Sequence, residues 1–282
     1  MLHADGVEIA LAALSRPAAV GARRLRRVLG SERVLDRPDV LRPALAERVR
    51  DAGVDLIVSW FWTTRIPKRV LDLAPLGSVG VHPSLLPRHR GPDPYFWAIE
   101  SGDLVTGVTA HRLAEAYDTG AILARLELAI DPSWSAWILA RRLDRPSLAL
   151  LREVVGRISR GMVPVEEPQD EQKATLAPEP RDALLSLAWD EPAEAIVRRI
   201  RAASPWPGAF MSLGDDVITI TRAEATDDFP RALEPGEAAV RADGRAVVRA
   251  RDRAVVLHEG RDEDEGWLDA AALAERVIFA AS

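Results

Sequence analysis

The stretch DLIVSWFWTTRIPKRVLDLAPLGSVGVH, residues 55–82, decides the fold. It opens with Asp55-Leu56-Ile57-Val58, a continuous apolar run of the kind found in strands covered on both faces. Pro67 suits the first turn of a helix and predicts a short one through Leu71. Ser78 to His82 reads as the next strand. Strand, helix and strand in so short a span imply a parallel pair joined by a crossover, the unit of an α/β sheet.

The same alternation extends outward. Val7 to Leu14 is a short apolar run with the character of a strand. Leu41, Leu45 and Val49 recur every four residues, which predicts a helix with one apolar face, ended by Gly53. Val105 to Leu113 and Ala121 to Ile130 read as two more strands. A helical stretch over 135–160 is expected to be interrupted at Pro146 and closed by Gly161. Val163 to Arg181 then changes character: Pro164, Pro168, Pro178 and Pro180 stand among acidic and polar residues, as in a linker. Beyond it, Asp190 can cap a helix carrying Ile196 and Ile200. Short strands follow, with turn signals at Gly214-Asp215 and Asp243-Gly244, and their pattern is that of a separate barrel-like β module. The expected organisation is a domain over 1–163, a linker over 164–183 and a second domain over 184–282.

Composition narrows the function. A chain of 282 residues suffices for two domains. Cysteine is absent, which excludes disulfides, thiol nucleophiles and cysteine zinc sites. No apolar run is long enough to cross a membrane, and the start lacks the basic segment of a signal peptide, so a cytoplasmic protein without a membrane partner is expected. The net charge of −6 argues against general nucleic-acid binding, though a local basic patch could still grip phosphates. Lys68 and Lys173 are the only lysines, a bias that fits genome composition better than function. There is no HExxH, no P-loop and no GxSxG, so zinc hydrolysis, Walker-type chemistry and a serine elbow have no support.

Among the five histidines, His82 ends a predicted strand, and ligands of α/β sheets bind beyond the carboxyl ends of strands. The stiff turn Pro83-Ser84-Leu85-Leu86-Pro87 follows it, then Arg88-His89-Arg90-Gly91. A second polar cluster, Tyr117-Asp118-Thr119-Gly120, lies between two later strands. A histidine and an aspartate on neighbouring strand ends can pair, the carboxylate fixing the imidazole tautomer. From spacing alone, such a histidine is more often structural than catalytic. His82, His89 and His111 could meet at a metal, but nothing in their spacing requires one and no metal is expected. Arg23-Arg24-Leu25-Arg26-Arg27 reads as the solvated face of a helix or as a phosphate contact. Trp60, Phe61 and Trp62 follow a predicted strand, where a flat heterocycle could stack on one of them.

These residues carry a resemblance. VHPSLLPRHRGPDPYFWAI at 81–99, TGVTAHRL at 106–113 and DTGAILA at 118–124 are similar to the 10-formyltetrahydrofolate-dependent formyltransferases. WDEPAEAIVRRIRAASPWPGAF at 189–210 resembles the start of the C-terminal domain of the two-domain, methionyl-tRNA type. The resemblance implies a Rossmann-like, mainly parallel sheet followed by a smaller OB-like barrel. It implies 10-formyltetrahydrofolate as formyl donor and a primary amine as acceptor, either initiator methionyl-tRNA or a small amino sugar. It maps the catalytic pair onto His82 and Asp118. The pterin pocket falls on the loop holding Phe61, Trp62, Thr64, Arg65 and Ile66, completed by the backbone near Asp118.

Two departures stand out. The family's asparagine, two residues before the histidine, is replaced by Gly80. Loss of one such oxyanion donor costs about a hundredfold to a thousandfold in rate. A water, His111 or His89 would have to fill that place; otherwise the chain is an impaired folate-binding paralogue. A hydrolase of formyl-folate is a third reading. The second departure is at the start: the family's first strand has no counterpart, and Met1 falls near the end of the helix that follows it. Either the sheet is expected to show an exposed or otherwise covered edge there, or the gene starts upstream.

Overall fold

The computed structural model describes residues 1–282 except Pro17, Ala18, Val20, Val163, Gly214, Asp215, Glu265, Ala281 and Ser282. The turn expected at Gly214-Asp215, and Val163 at the end of the expected first domain, therefore lie outside the described residues. The chain folds into two compact units that interleave along the sequence. The first comprises Met1–Pro92, Thr106–Leu128 and Arg142–Leu176, and the second Asp93–Val105, Ala129–Arg141 and Ala177–Ser282.

In the first unit, β1 (Ala12–Leu14) and β2 (Val34–Asp36) form a parallel pair of their own, bracketing α1 (Ala22–Leu29). The strand expected over Val7 to Leu14 thus contracts to its last residues. Helix α2 (Pro43–Asp51) starts with proline in its first turn, and Gly53 follows it with φ +59°. Its Ala46 and Val49 pack with Val70, and Leu45, Ile57, Ile66 and Leu73 close around them.

The main sheet runs β3 (Ile57–Trp60), β4 (Ser78–His82), β5 (Val105–His111) and β6 (Ile122–Ala129). The β3–β4 pair is parallel, with α3 (Lys68–Leu71) between the two strands and Pro67 as its N-cap; β4–β5 is antiparallel. The apolar run at 55–58 predicts a strand covered on both faces, and this needs correction. Strand β3 ends the sheet, and its Val58 and Trp60 are 37% and 43% exposed. Among the described residues no strand pairs its outer side. An open edge of this kind is what the sequence leads one to expect.

Two further local expectations need correction. The helix of 135–160 is not interrupted. Instead, α5 (Ala136–Ser159) runs through Pro146. Proline removes one N–H from the ladder, but Leu139 and Leu143 before it and Leu150, Leu151 and Val154 after it are all buried. Burial of that face outweighs one lost hydrogen bond. In the second unit, Asp190 does not cap the helix carrying Ile196 and Ile200. Pro192 stands at its N-cap, and the distant Asp252 carboxylate accepts from Ala193 N at 2.8 Å.

The second unit holds α4 (Pro94–Glu100), α6 (Asp182–Leu185) and α7 (Ala193–Ala203) beside an antiparallel sheet. Its strands are β7 (Ala209–Leu213), β8 (Asp216–Thr226), β9 (Ala238–Val240), β10 (Ala246–Arg249), β11 (Ala254–Arg261) and β12 (Trp267–Leu268), followed by α8 (Ala270–Ala280). The order is β7-β8-β11-β10-β9, with β12 on β11. Ile196, Ile200, Ile218, Ile220, Val255 and Leu257 form its buried interior. Arg199 on α7 bonds Glu100 of α4 at 2.8 Å, and both side chains are nearly buried.

Candidate active site

The antiparallel register of β4 and β5 sets two histidines side by side. Gly80 pairs with His111, and His82 pairs with Thr109. The turn after β4 is fastened to β5, because Thr109 Oγ1 donates to Ser84 O at 2.7 Å and accepts from Leu86 N at 3.1 Å. The β5–β6 loop then brings Asp118 over both rings. His82 Nδ1 lies 3.5 Å from Asp118 Oδ2, and His111 Nε2 lies 3.6 Å from Asp118 Oδ1. These separations are ion-pair distances, just beyond good hydrogen bonds.

The far nitrogen of each ring is already used. His82 Nε2 is 2.7 Å from the His89 carbonyl, and His111 Nδ1 is 2.8 Å from the Arg112 carbonyl. A carbonyl only accepts, so each of these nitrogens carries the hydrogen. A neutral ring therefore presents a lone pair to Asp118, and a proton taken up there lands between imidazole and carboxylate. Burial pushes both imidazoles below the ordinary histidine range, while the Asp118 carboxylate draws both back up. Each ring thus rests neutral, next to the group that stabilises its charged form.

Asp118 is held from several sides. It adopts φ +57°, a left-handed conformation that aspartate tolerates better than most residues. Gly91 N donates to its Oδ2 at 3.0 Å. The Gln169 side-chain amide donates to the carbonyls of Asp118 and Gly120, both at 2.7 Å. Gln169 is itself gripped by Arg90, which also binds Glu171. Segment 164–183, expected as a linker, carries this clamp, and its Thr175 O accepts from Arg90 N. Gln169 and Arg90 escape a reading of the sequence. A clamp made across such a separation leaves no periodic signal, and Gln169 looks like any polar residue between prolines.

The expected pterin loop lies in the same unit. Tyr117, next to Asp118, reaches Thr63 O at 3.5 Å. Phe61 has φ +51° and is exposed, with its ring 5.0 Å from that of Trp60. Trp62 buries its indole Nε1 with no hydrogen-bond partner. Thr64, Arg65 and Ile66 line a cleft of ≈ 630 Å³ with Pro38–Leu41, Pro67–Arg69 and Glu115. His82 and Asp118 do not line this cleft, nor do Phe61 and Trp62. The loop thus touches the β5–β6 loop through Tyr117 and faces the cleft at its other end.

Gly80 sits under His111. A Cβ there would meet Leu113 Cδ2 at 2.6 Å and His111 Nε2 at 3.3 Å. The space in which a side chain at 80 would project is taken by these two residues.

The family model described as formyl transferase matches residues 13–155, and the model of the formyl transferase C-terminal domain matches 182–277. The chain belongs to the formyltransferase family. Methionyl-tRNA formyltransferase of Bacillus licheniformis is 35% identical over 212 residues, covering 75% of this chain and 66% of that protein. The Solibacter usitatus protein of the same name is 39% identical over 170 residues, covering 60% of this chain and 54% of its own. The chain therefore spans between about half and two-thirds of these relatives' length. In fold it resembles HypX from Aquifex aeolicus, solved in complex with tetrahydrofolic acid, at TM-score 0.65 and 22% identity over 95% of this chain and 47% of that one. Among the described residues of this formyltransferase-family chain, no helix is long and apolar enough to cross a membrane.

Proposed function

We propose that the chain transfers a formyl group from 10-formyltetrahydrofolate to a primary amine in the cytoplasm. The observation that carries this reading is the convergence of His82 and Asp118, with 3.5 Å between Nδ1 and Oδ2. The folate donor supplies an activated formyl group. His82 serves the proton movement that amine attack requires and supports the negative charge developing on the formyl oxygen. Asp118 holds His82 and stabilises its charged form. The unpartnered indole donor of Trp62 fits a ligand rich in ring acceptors, as a pterin is, and a buried donor gains from such a partner. The resemblance gives Phe61, Thr64, Arg65 and Ile66, with the backbone near Asp118, to the same pocket, although the cleft at Thr64–Ile66 does not itself extend to Phe61 or Asp118. The tetrahydrofolic acid held by the fold-related HypX is in keeping with it.

For the acceptor, the names of both curated relatives favour methionyl-tRNA. A small amino sugar is the second candidate. Gly80 supports a different reading, a protein that binds the folate without efficient turnover. One experiment separates these. Wild type and His82→Ala are assayed for consumption of 10-formyltetrahydrofolate with methionyl-tRNA, with a panel of amino sugars, and without acceptor. Acceptor-dependent turnover that His82→Ala abolishes supports formyl transfer. Turnover without acceptor marks a hydrolase. A folded wild type that binds the folate but never turns it over sinks the enzymatic reading.

A further inference from the structure

We propose that His111 is a second catalytic imidazole of this site, supplying from β5 the polar group that position 80 lacks. This rests on the formyl-transfer reading above and goes beyond it. Gly80 and His111 are cross-strand partners, and His111 Nε2 lies 3.3 Å from the point a Cβ at 80 would occupy. A Cβ at 80 would press on the ring, which would have to give by a few tenths of an ångström. With Nδ1 donating to Arg112 O at 2.8 Å, proton exchange is left to Nε2. That nitrogen faces Asp118 Oδ1 at 3.6 Å, much as His82 Nδ1 faces Oδ2 at 3.5 Å. One carboxylate thus serves two imidazoles in mirrored arrangement, and either ring can carry positive charge beside it.

The chemistry balances with this nitrogen sharing the proton movement assigned above to His82, which continues to support the charge on the formyl oxygen. The amine lone pair forms the bond to the formyl carbon, and the carbonyl π pair moves onto the oxygen. The amine proton passes to His111 Nε2, whose new N–H is shared between Asp118 Oδ1 and that oxygen. When the bond from the formyl carbon to the folate nitrogen breaks, the proton goes to that nitrogen and His111 returns to neutral. Asp118 stabilises the transient imidazolium throughout.

The test is kinetic. His111→Ala is expected to lower kcat for formyl transfer about a hundredfold, the range for loss of a general acid–base group. Adding Gly80→Asn to His111→Ala is expected to recover at least about tenfold of the loss, because an oxyanion donor of this kind carries more than that. The atom nearest to a Cβ at 80, at 2.6 Å, is the tip of the flexible Leu113 side chain, which can step aside. A purely structural histidine predicts no such rescue. His111→Gln, similar in size and unable to take a proton, is read beside it, with thermal melts establishing that each variant is folded. A folded His111→Ala or His111→Gln with kcat within threefold of wild type overturns the proposal, and so does a loss that Gly80→Asn leaves unrepaired. Should neither variant fold, wild type decides through its kcat–pH profile. The charged groups acting on His111 are Asp118 from the β5–β6 loop and His82 from β4. Two ionisations on the acidic limb support two imidazoles, and a single one overturns the proposal. Failure of the formyl-transfer reading looks different, since wild type itself would then be silent.

Discussion

At the scale of the residue, the shared carboxylate has consequences for pH. Burial is the largest influence on both His82 and His111 and holds their folded pKa values below the ordinary histidine value of about 6.5. The unfolded chain then binds more protons than the folded chain over the interval between the two values, so stability rises with pH there. Thermal melts between pH 8 and pH 5 are expected to show full stability above about 6.5 and a progressive loss below it. A flat or inverted profile would contradict the assignment of neutral rings. Asp118→Asn isolates the charge from the shape. Asparagine also tolerates the left-handed conformation, and its amide oxygen can still accept from Gly91 N. Its melt is expected to stay near wild type while kcat falls about a hundredfold. Activity surviving in that variant would remove Asp118 from the mechanism.

At the scale of the element, the β5–β6 loop is built with little slack. A Cβ on Gly120 would stand 1.9 Å from the Arg112 carbonyl, a backbone atom that cannot step aside. Gly120→Ala is expected to destabilise the protein by about 1–3 kcal/mol, read as a lower midpoint in urea. Gln169→Ala should leave the midpoint nearly unchanged yet lower kcat up to about a hundredfold, because small misplacements of a catalytic group cost that much. An unaltered kcat would mean that the remaining bonds suffice to hold the loop. Much of this architecture was legible. Strand β4 and the ends of β6 follow from apolar runs with clear punctuation, and His82 and Asp118 from motifs at strand ends. What stayed hidden depends on distant partners. The exposure of β3 reflects which strand lies beside it, the continuity of α5 through Pro146 reflects tertiary burial, and the cap of α7 comes from Asp252. The facing of His111 and Gly80 follows from strand register, which a single sequence does not display.

At the scale of the whole molecule, the two units do not follow one another along the chain. Helix α4, early in the sequence, belongs to the second unit, where Glu100 satisfies the nearly buried Arg199. A fragment beginning at residue 182 spans the whole C-terminal family match but omits Glu100. Breaking one partner of a buried ion pair costs about 3–5 kcal/mol. Such a fragment is expected to melt well below a two-fragment mixture that also supplies residues 1–181, and amide exchange should be fastest along α7. Equal melting of fragment and mixture would show that the later segment is self-sufficient.

The clamp on Asp118 has one more consequence. Gln169, Glu171 and Thr175 fall between residue 155, where one family match ends, and residue 182, where the next begins. Sequence drift confined to that interval could loosen or tighten the hold on Asp118 while both recognised regions stayed letter-for-letter the same. If Asp118 acts as proposed, two descendants of this chain could then differ severalfold in turnover with identical family-matched regions, and the cause would sit in the stretch an alignment treats as a spacer.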